Sequence, residues 1–300
     1  MTRGSSSFLV LAAFALVSCS GIEDPPEPTT ERDGGASDAG TPDAGPHDAG
    51  PHDAGARDGG PRPDPCTFDT TAEDALYADA LELEGAALRA ALHDLVTDGA
   101  RGFGYDAARN LMYGITGSVD VDEDNLVTCV YTAQQVEADG TRSPGMGQDI
   151  ITTEHSWPRS DGAENFPAEG DLHHLFPAIA HANGTRGVHE FGDVACGDAG
   201  EAACTWSGGG SHLGPGEDAR TEVFEVRAET RGDIARAHFY FAVRYELPIP
   251  AGEEGTLRRW HCEDPPSDGE RARNGRIATH QNNRNPFVDQ PQLVERIADF

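Results

Sequence analysis

Three short segments bring together side chains that suit hydrolysis of a charged ester. Glu154 and His155 are adjacent, and Asn183 lies 28 residues after His155. An uncharged histidine can remove a proton from water, because its ordinary pKa is about 6.5. Carboxylate and amide oxygens are ligands that a hard divalent cation accepts. These three residues are therefore the smallest set that meets the needs of phosphodiester hydrolysis: a base, a cation and a site that stays positively charged.

The local sequence predicts which elements position these side chains. An apolar pair precedes Glu154 and His155 and predicts a short strand. Neighbouring residues of a regular strand point to opposite faces, so these two side chains share one site only if the strand ends or bends there. Pro158 favours such an irregular end. Residues 171–179 predict a second strand, and a helix is expected to begin near Ala180.

Apolar residues at helical spacing predict most of the remaining architecture. Residues 192–215 are rich in glycine and predict a loop, whereas residues 126–131 predict a strand. The predicted helices cover residues 77–96, 102–113, 230–246 and 290–297. The expected fold class is α+β, with helices outnumbering strands.

Five segments resemble the endonuclease I family of bacterial secreted and periplasmic nucleases, which are members of the ββα-metal (His-Me finger) group. The segments keep their order from residue 154 to residue 287. They are Glu-His-Ser-Trp-Pro-Arg-Ser at 154–160, Asp-Leu-His-His-Leu-Phe-Pro-Ala at 171–178, Ala-Asn-Gly-Thr-Arg at 182–186, Arg-Gly-Asp-Ile-Ala-Arg-Ala at 231–237, and Arg-Asn-Gly-Arg-Ile at 273–277 with Gln-Asn-Asn-Arg-Asn-Pro-Phe at 281–287. The resemblance implies a ββα-metal core embedded in a mostly helical single domain.

The resemblance also implies roles for individual residues. His155 takes the position of the general base, and Glu154 and Asn183 take those of the magnesium ligands, with manganese or calcium as alternative cations. Arg159 and Arg186 are the candidates for the arginine that holds the cleaved phosphate. The substrate would be DNA, and RNA in addition, cut with little sequence specificity to leave 5′-phosphate and 3′-hydroxyl ends.

The net charge of the chain argues against binding a polyanion over its whole surface. All 22 basic residues are arginine, and 52 acidic residues bring the net charge to −30. Binding a phosphate backbone then needs one local cationic face. The densest arginine group lies near the C-terminus, and Arg273, Arg276 and Arg284 within it are the predicted nucleic-acid-binding residues. The alternative is that these arginines pair with carboxylates inside the protein.

The N-terminus predicts export. Residues 8–17 form an apolar run that is too short to span a bilayer and is typical of a signal peptide. The run ends in Leu16-Val17-Ser18-Cys19, which resembles the lipobox of bacterial lipoproteins, so Cys19 is the predicted lipidation site. Plain secretion is the alternative. The protein is expected in the cell envelope, at the outer membrane or cell surface, or outside the cell.

The expected domain organisation has three parts. Residues 1–19 are the signal peptide, residues 20–65 are a disordered Pro/Gly/Asp/Ala linker, and residues 66–300 are the endonuclease I-like domain. Cys196 and Cys204 flank a short loop and are the predicted disulfide, which leaves one of the other non-lipidated cysteines unpaired.

A monomer is expected, with membrane contact through the lipid anchor only. The rival hypothesis is a non-catalytic surface lipoprotein, a binding module that retains the nuclease fold. The long tether and the acidic composition motivate this rival. The intact set of Glu154, His155 and Asn183 favours the enzyme.

Overall fold

The computed structural model describes residues 66, 68, 75–114, 118–196, 203–216 and 220–300. All of them belong to the unit that spans residues 58–300. The predicted signal peptide with Cys19 and the predicted linker over residues 20–65 lie outside the described residues. No helix within the described ranges has both the length and the apolar composition needed to cross a membrane.

The described residues form helices and short strands in the following order. The elements are α1 (Gly85–Thr97), α2 (Tyr105–Tyr113), β1 (Leu126–Thr128), β2 (Gln135–Glu137), β3 (Ile151–His155), β4 (Leu175–Ile179), α3 (Ala180–Arg186), β5 (Trp206–Gly208), β6 (Ser211–Pro215), β7 (Glu222–Glu225), α4 (Arg231–Tyr245), α5 (Ala251–Glu263), α6 (Asp268–Gln281) and α7 (Pro286–Asp289). The strands pair as β1–β2, β3–β4 and β5–β6–β7, all antiparallel. This mixture of helices and small sheets confirms the predicted α+β class.

An antiparallel hairpin followed directly by a helix carries the candidate site. In this hairpin Ile151 of β3 lies opposite Ile179 of β4, and His155 lies opposite Leu175. Every residue of β4 is buried, so the hairpin is part of the core. The backbone N–H of Ala180 donates to the carbonyl of Ile150 at 3.0 Å. The antiparallel pairing therefore continues into the first residue of α3, and α3 contacts β3.

Helix α4 is the central helix of the fold. Nearly all of its residues are buried, which is typical of a helix surrounded by other elements. It packs against α1 and α5. Its bounds agree with the helix predicted over residues 230–246.

Three predicted elements differ from the structure, and one of them, the helix predicted over 290–297, is a 3-10 helix over Pro291–Arg296. The helix predicted over 77–96 is two 3-10 turns, Ala75–Tyr77 and Ala80–Glu82, followed by α1. The chain is extended at Leu83 and has a positive φ of 57° at Gly85, so one continuous helix cannot form there. Within the predicted loop over 192–215, strands β5 and β6 form a hairpin.

The disulfides agree with the cysteine pattern. Cys196 and Cys204 are joined by an S–S bond of 2.05 Å, which confirms the predicted pair. A second disulfide joins Cys66 to Cys262 of α5 and ties the start of the domain to that helix. Among the described cysteines, Cys129 is free and buried.

Candidate active site

The Glu154 carboxylate is buried between β3 and α3. Its Oε1 accepts a hydrogen bond from the Tyr131 hydroxyl at 2.8 Å and lies 3.0 Å from Nη1 of Arg186. Burial raises the pKa of Glu154, while Arg186 and the Tyr131 hydrogen bond oppose that increase. The second oxygen, Oε2, accepts no hydrogen bond from the described part of the chain. One oxygen is therefore held in place and the other is available to a ligand.

A hydroxyl group fixes the orientation of the Asn183 amide. Oγ1 of Thr152 donates its only proton to the carbonyl of Ala178 at 3.1 Å. It must therefore accept the hydrogen bond from Nδ2 of Asn183, at 3.0 Å, and this leaves Oδ1 of Asn183 as the free end of the amide. Thr152 and Glu154 are two residues apart on β3 and share one face. Glu154 and Asn183 thus both lie between β3 and α3, as a shared cation site requires.

His155 is the last residue of β3 and has other neighbours. Its Nε2 lies 3.0 Å from the carbonyl oxygen of Glu169. A carbonyl only accepts hydrogen bonds, so Nε2 carries the proton and Nδ1 keeps its lone pair. The ring lies 5.2 Å from that of Tyr105 and 5.3 Å from that of His174. The orientation of His155 is therefore set by one backbone contact and two aromatic neighbours.

Burial lowers the pKa of His155 to about 4. The hydrogen bond to Glu169 opposes this shift, and the charges of Arg159 and Arg186 add to it. The imidazole is therefore uncharged at neutral pH, and Nδ1 can accept a proton. Glu154 and His155 are the last two residues of β3, and at a strand end the alternation of side chains is no longer enforced, so neighbouring residues can serve one site.

The two candidate phosphate-binding arginines lie in different surroundings. Arg159 is exposed, in the 3-10 turn that follows β3, and its Cζ lies 5.8 Å from the centre of the Tyr105 ring. No carboxylate among the described residues pairs with Arg159. Arg186 is only 1% exposed and donates to the carbonyls of His155, at 3.1 Å, and Ser156, at 2.6 Å. Arg186 is therefore a buried side chain that stabilises the end of β3.

The three predicted nucleic-acid-binding arginines near the C-terminus are mostly paired. Arg273 lies 2.6 Å from Asp120, and Arg284 lies 2.6 Å from Asp289. Arg276 is exposed and forms a hydrogen bond to a backbone carbonyl through Nε. Arg273 and Arg284 thus pair with carboxylates inside the protein, as the alternative hypothesis expected. A role of all three arginines in binding nucleic acid stays a prediction.

A buried polar network supports the segment that leads into β4. Asp171 is 2% exposed, and its carboxylate accepts from Tyr240 at 3.0 Å and pairs with Arg244 at 3.0 Å. Burial raises the pKa of this carboxyl, but Arg244 and two neighbouring histidines outweigh burial and hold it below its usual range. Gln281 of α6 completes the network at 2.8 Å. Sequence reasoning missed these partners because they come from distant helices.

Comparison with known proteins identifies the family of the chain. Residues 84–292 match the family model described as Endonuclease I. The chain is 31% identical over 253 residues to the extracellular ribonuclease of Bacillus amyloliquefaciens, which covers 75% of this chain and 78% of that protein. It is 29% identical over 255 residues to the extracellular ribonuclease of Bacillus subtilis (strain 168), with the same two shares. It is 33% identical over 131 residues to the periplasmic deoxyribonuclease of Aeromonas hydrophila, across 42% of this chain and 50% of that protein. The chain therefore belongs to the endonuclease I family.

Proposed function

We propose that this protein is an exported endonuclease that hydrolyses phosphodiester bonds of DNA and RNA with a divalent cation and little sequence specificity. One observation carries the proposal: Nε2 of His155 is held by a carbonyl, so its Nδ1 lone pair is available at the end of β3, in the residue that follows Glu154. Related proteins named as extracellular ribonucleases and as a periplasmic deoxyribonuclease support both the export and the two substrates.

The residues between β3 and α3 fit a divalent cation. Oε2 of Glu154 and Oδ1 of Asn183 are the available oxygens, and one carboxylate with one neutral amide leaves a bound divalent cation with net positive charge. Magnesium is the proposed cation, with manganese or calcium as alternatives. When bound, the cation neutralises the phosphate and stabilises the leaving oxygen. The β3–β4–α3 unit supports a ββα-metal (His-Me finger) core in this mostly helical domain.

His155 acts as the general base in the proposed reaction. Nδ1 removes a proton from a water molecule, and the water oxygen forms a bond to phosphorus. The bond from phosphorus to the 3′-oxygen breaks, and this oxygen takes a proton from solvent, so the products carry a 5′-phosphate and a 3′-hydroxyl. The nucleophile is water and not the 2′-hydroxyl, so DNA and RNA both serve as substrates. Arg159 is exposed beside this centre and binds the cleaved phosphate.

The proposed location is the cell envelope. The lipobox that ends in Cys19 supports a lipid anchor, and the 46 residues from 20 to 65 would hold the domain away from the membrane. We propose a monomer that contacts the membrane through this anchor alone.

A cleavage assay tests the proposed function. The full chain is incubated with supercoiled plasmid and with RNA, in magnesium and in excess EDTA. We expect nicked and then linear plasmid, degraded RNA, and no cleavage in EDTA until magnesium is restored. The ends are analysed by ligation, which requires a 5′-phosphate and a 3′-hydroxyl. Cleavage that persists in EDTA, or RNA products with cyclic phosphate ends and intact plasmid, would contradict the proposal.

Replacing Thr152 with valine is expected to weaken cation binding. The substitution keeps the shape of the side chain but removes the oxygen that orients the Asn183 amide. Loss of such a supporting contact typically costs a metal site about 10-fold or more in affinity. The magnesium concentration that gives half-maximal cleavage should rise by about this factor, whereas Thr152→Ser should retain the wild-type value. An unchanged magnesium dependence for Thr152→Val would show that the hydroxyl does not orient the ligand.

A further inference from the structure

Two guanidinium groups lie near one aromatic ring beside His155. Tyr105 is the first residue of α2, and its ring centre lies 5.2 Å from that of His155. Arg109 is one helical turn later on the same face of α2, and its Cζ lies 5.3 Å from the Tyr105 ring centre. Arg159 approaches the same ring from the turn after β3, at 5.8 Å. Tyr105, Arg109 and Arg159 are called the Tyr105 surface below.

The charges around the Tyr105 surface are mainly positive. Arg109 donates to the carbonyl of Arg142 at 2.8 Å, and this neutral contact fixes its guanidinium without cancelling the charge. Asp106 lies 3.7 Å from Arg109 and only 2.7 Å from Arg142, so it mainly neutralises Arg142. Glu169 is a second acid, beside the start of α2. Three arginines against two carboxylates form a cationic area next to the base, in a chain whose net charge is −30.

We propose that the Tyr105 surface binds the phosphate backbone of the nucleic acid next to the bond that is cut. Arg159 would lie at the reacting phosphate, and Arg109 would bind a neighbouring phosphate of the same strand. The contacts to one ring place the two Cζ atoms within about 11 Å of each other. A duplex strand advances about 3.4 Å per nucleotide along the helix axis, so an upper limit of this size suits phosphates that are close neighbours on one strand. The inference rests on the proposed function.

The Tyr105 ring has a physical role in this subsite. A guanidinium over an aromatic face is attracted to it and is held in a narrower range of positions than a free arginine. Less freedom is then lost when a phosphate binds. The net negative charge of the chain does not exclude nucleic acid as a ligand, because a local cationic area such as the Tyr105 surface can bind phosphate on a protein that is acidic as a whole.

Binding without cleavage tests the Tyr105 surface. Affinity of the full chain for a fluorescent 12-nucleotide single-stranded DNA is measured by anisotropy, in EDTA and over a range of salt concentrations. Arg109→Gln is expected to weaken binding about 10-fold at low salt, because a charge-assisted hydrogen bond is lost. The slope of log affinity against log salt should become shallower by about 0.7, the value for one phosphate contact of a single strand.

Two further variants sharpen the test. Asp106→Asn removes a negative charge from the same area and should strengthen binding. Arg227→Gln removes one arginine that is paired with Glu229 elsewhere, and should leave affinity and salt slope unchanged. Wild-type affinity and slope for Arg109→Gln, or weaker binding for Asp106→Asn, would overturn the subsite. If the wild-type chain neither binds nor cuts nucleic acid, the proposed function fails; if it does both and Arg109→Gln behaves like it, only the subsite fails.

Discussion

Replacing His155 with alanine is expected to lower the rate of plasmid cleavage by about 10²–10⁴-fold, the usual contribution of a general base. The structure leaves Nδ1 of His155 as an uncharged proton acceptor, because Nε2 is committed to the Glu169 carbonyl. Alanine removes that acceptor while Glu154 and Asn183 remain. Initial rates of supercoiled plasmid loss in magnesium measure the effect, and circular dichroism and thermal unfolding report whether the fold persists.

Two additions separate a lost base from a damaged fold. His155→Asn keeps a polar side chain but supplies no base at neutral pH, so it should be as inactive as His155→Ala. Added imidazole should restore part of the activity of the alanine variant, since it supplies the same kind of proton-accepting nitrogen. His181→Ala is the matched control, because His181 is an exposed histidine on α3. Wild-type rates for His155→Ala would end the proposed mechanism.

The sequence predicted those elements whose burial follows a local apolar pattern. Helix α4 agrees with its prediction because its buried residues are mainly apolar side chains. Strand β3 also agrees, although only the apolar pair Ile150-Ile151 at its start indicated it and its buried residues Thr153, Glu154 and His155 are polar. Helices α5 and α6 were not predicted. The buried side of α6 includes Asn274 and Gln281, and that of α5 includes Glu253 and Glu254. Hydrophobic periodicity cannot reveal a helix whose inner face is polar.

In the candidate site too, the sequence could not predict those residues whose roles depend on contacts in space. Glu154, His155 and Asn183 were selected by residue type and by the family resemblance, and their roles stay a prediction. Tyr131 and Tyr105 were missed because their roles arise from contacts across 23 and 50 positions of sequence. Whether an arginine is free for phosphate also depends on its partners in space. The sequence therefore could not show that Arg159 is exposed whereas Arg186 is buried. It also could not show that arginines of the dense C-terminal group are paired with carboxylates.

Replacing Arg186 with methionine is expected to lower the free energy of unfolding by about 3–5 kcal/mol, the usual cost of removing one partner of a buried ion pair. The Arg186 and Glu154 side chains are 1% and 2% exposed, so methionine would leave the carboxylate buried without its cationic partner. The hydrogen bonds to the carbonyls of His155 and Ser156 would also be lost. The pKa of Glu154 should rise further, so cation binding at neutral pH should weaken too. Urea unfolding at pH 7 measures the stability change, and calorimetry with magnesium measures the binding change.

The control for Arg186 is an ion pair of similar distance that is open to water. Arg142 lies 2.7 Å from Asp106, with side chains 44% and 70% exposed, and Arg142→Met should cost about 1 kcal/mol or less. Combining Arg186→Met with Glu154→Gln should cost less than the sum of the single changes, because the double variant buries no unpaired charge. Additive losses, or an Arg186→Met loss no larger than that of Arg142→Met, would contradict this account. The expected coupling would mean that the pair does two things at once: it stabilises the end of β3, and it keeps Glu154 ionised beside the base.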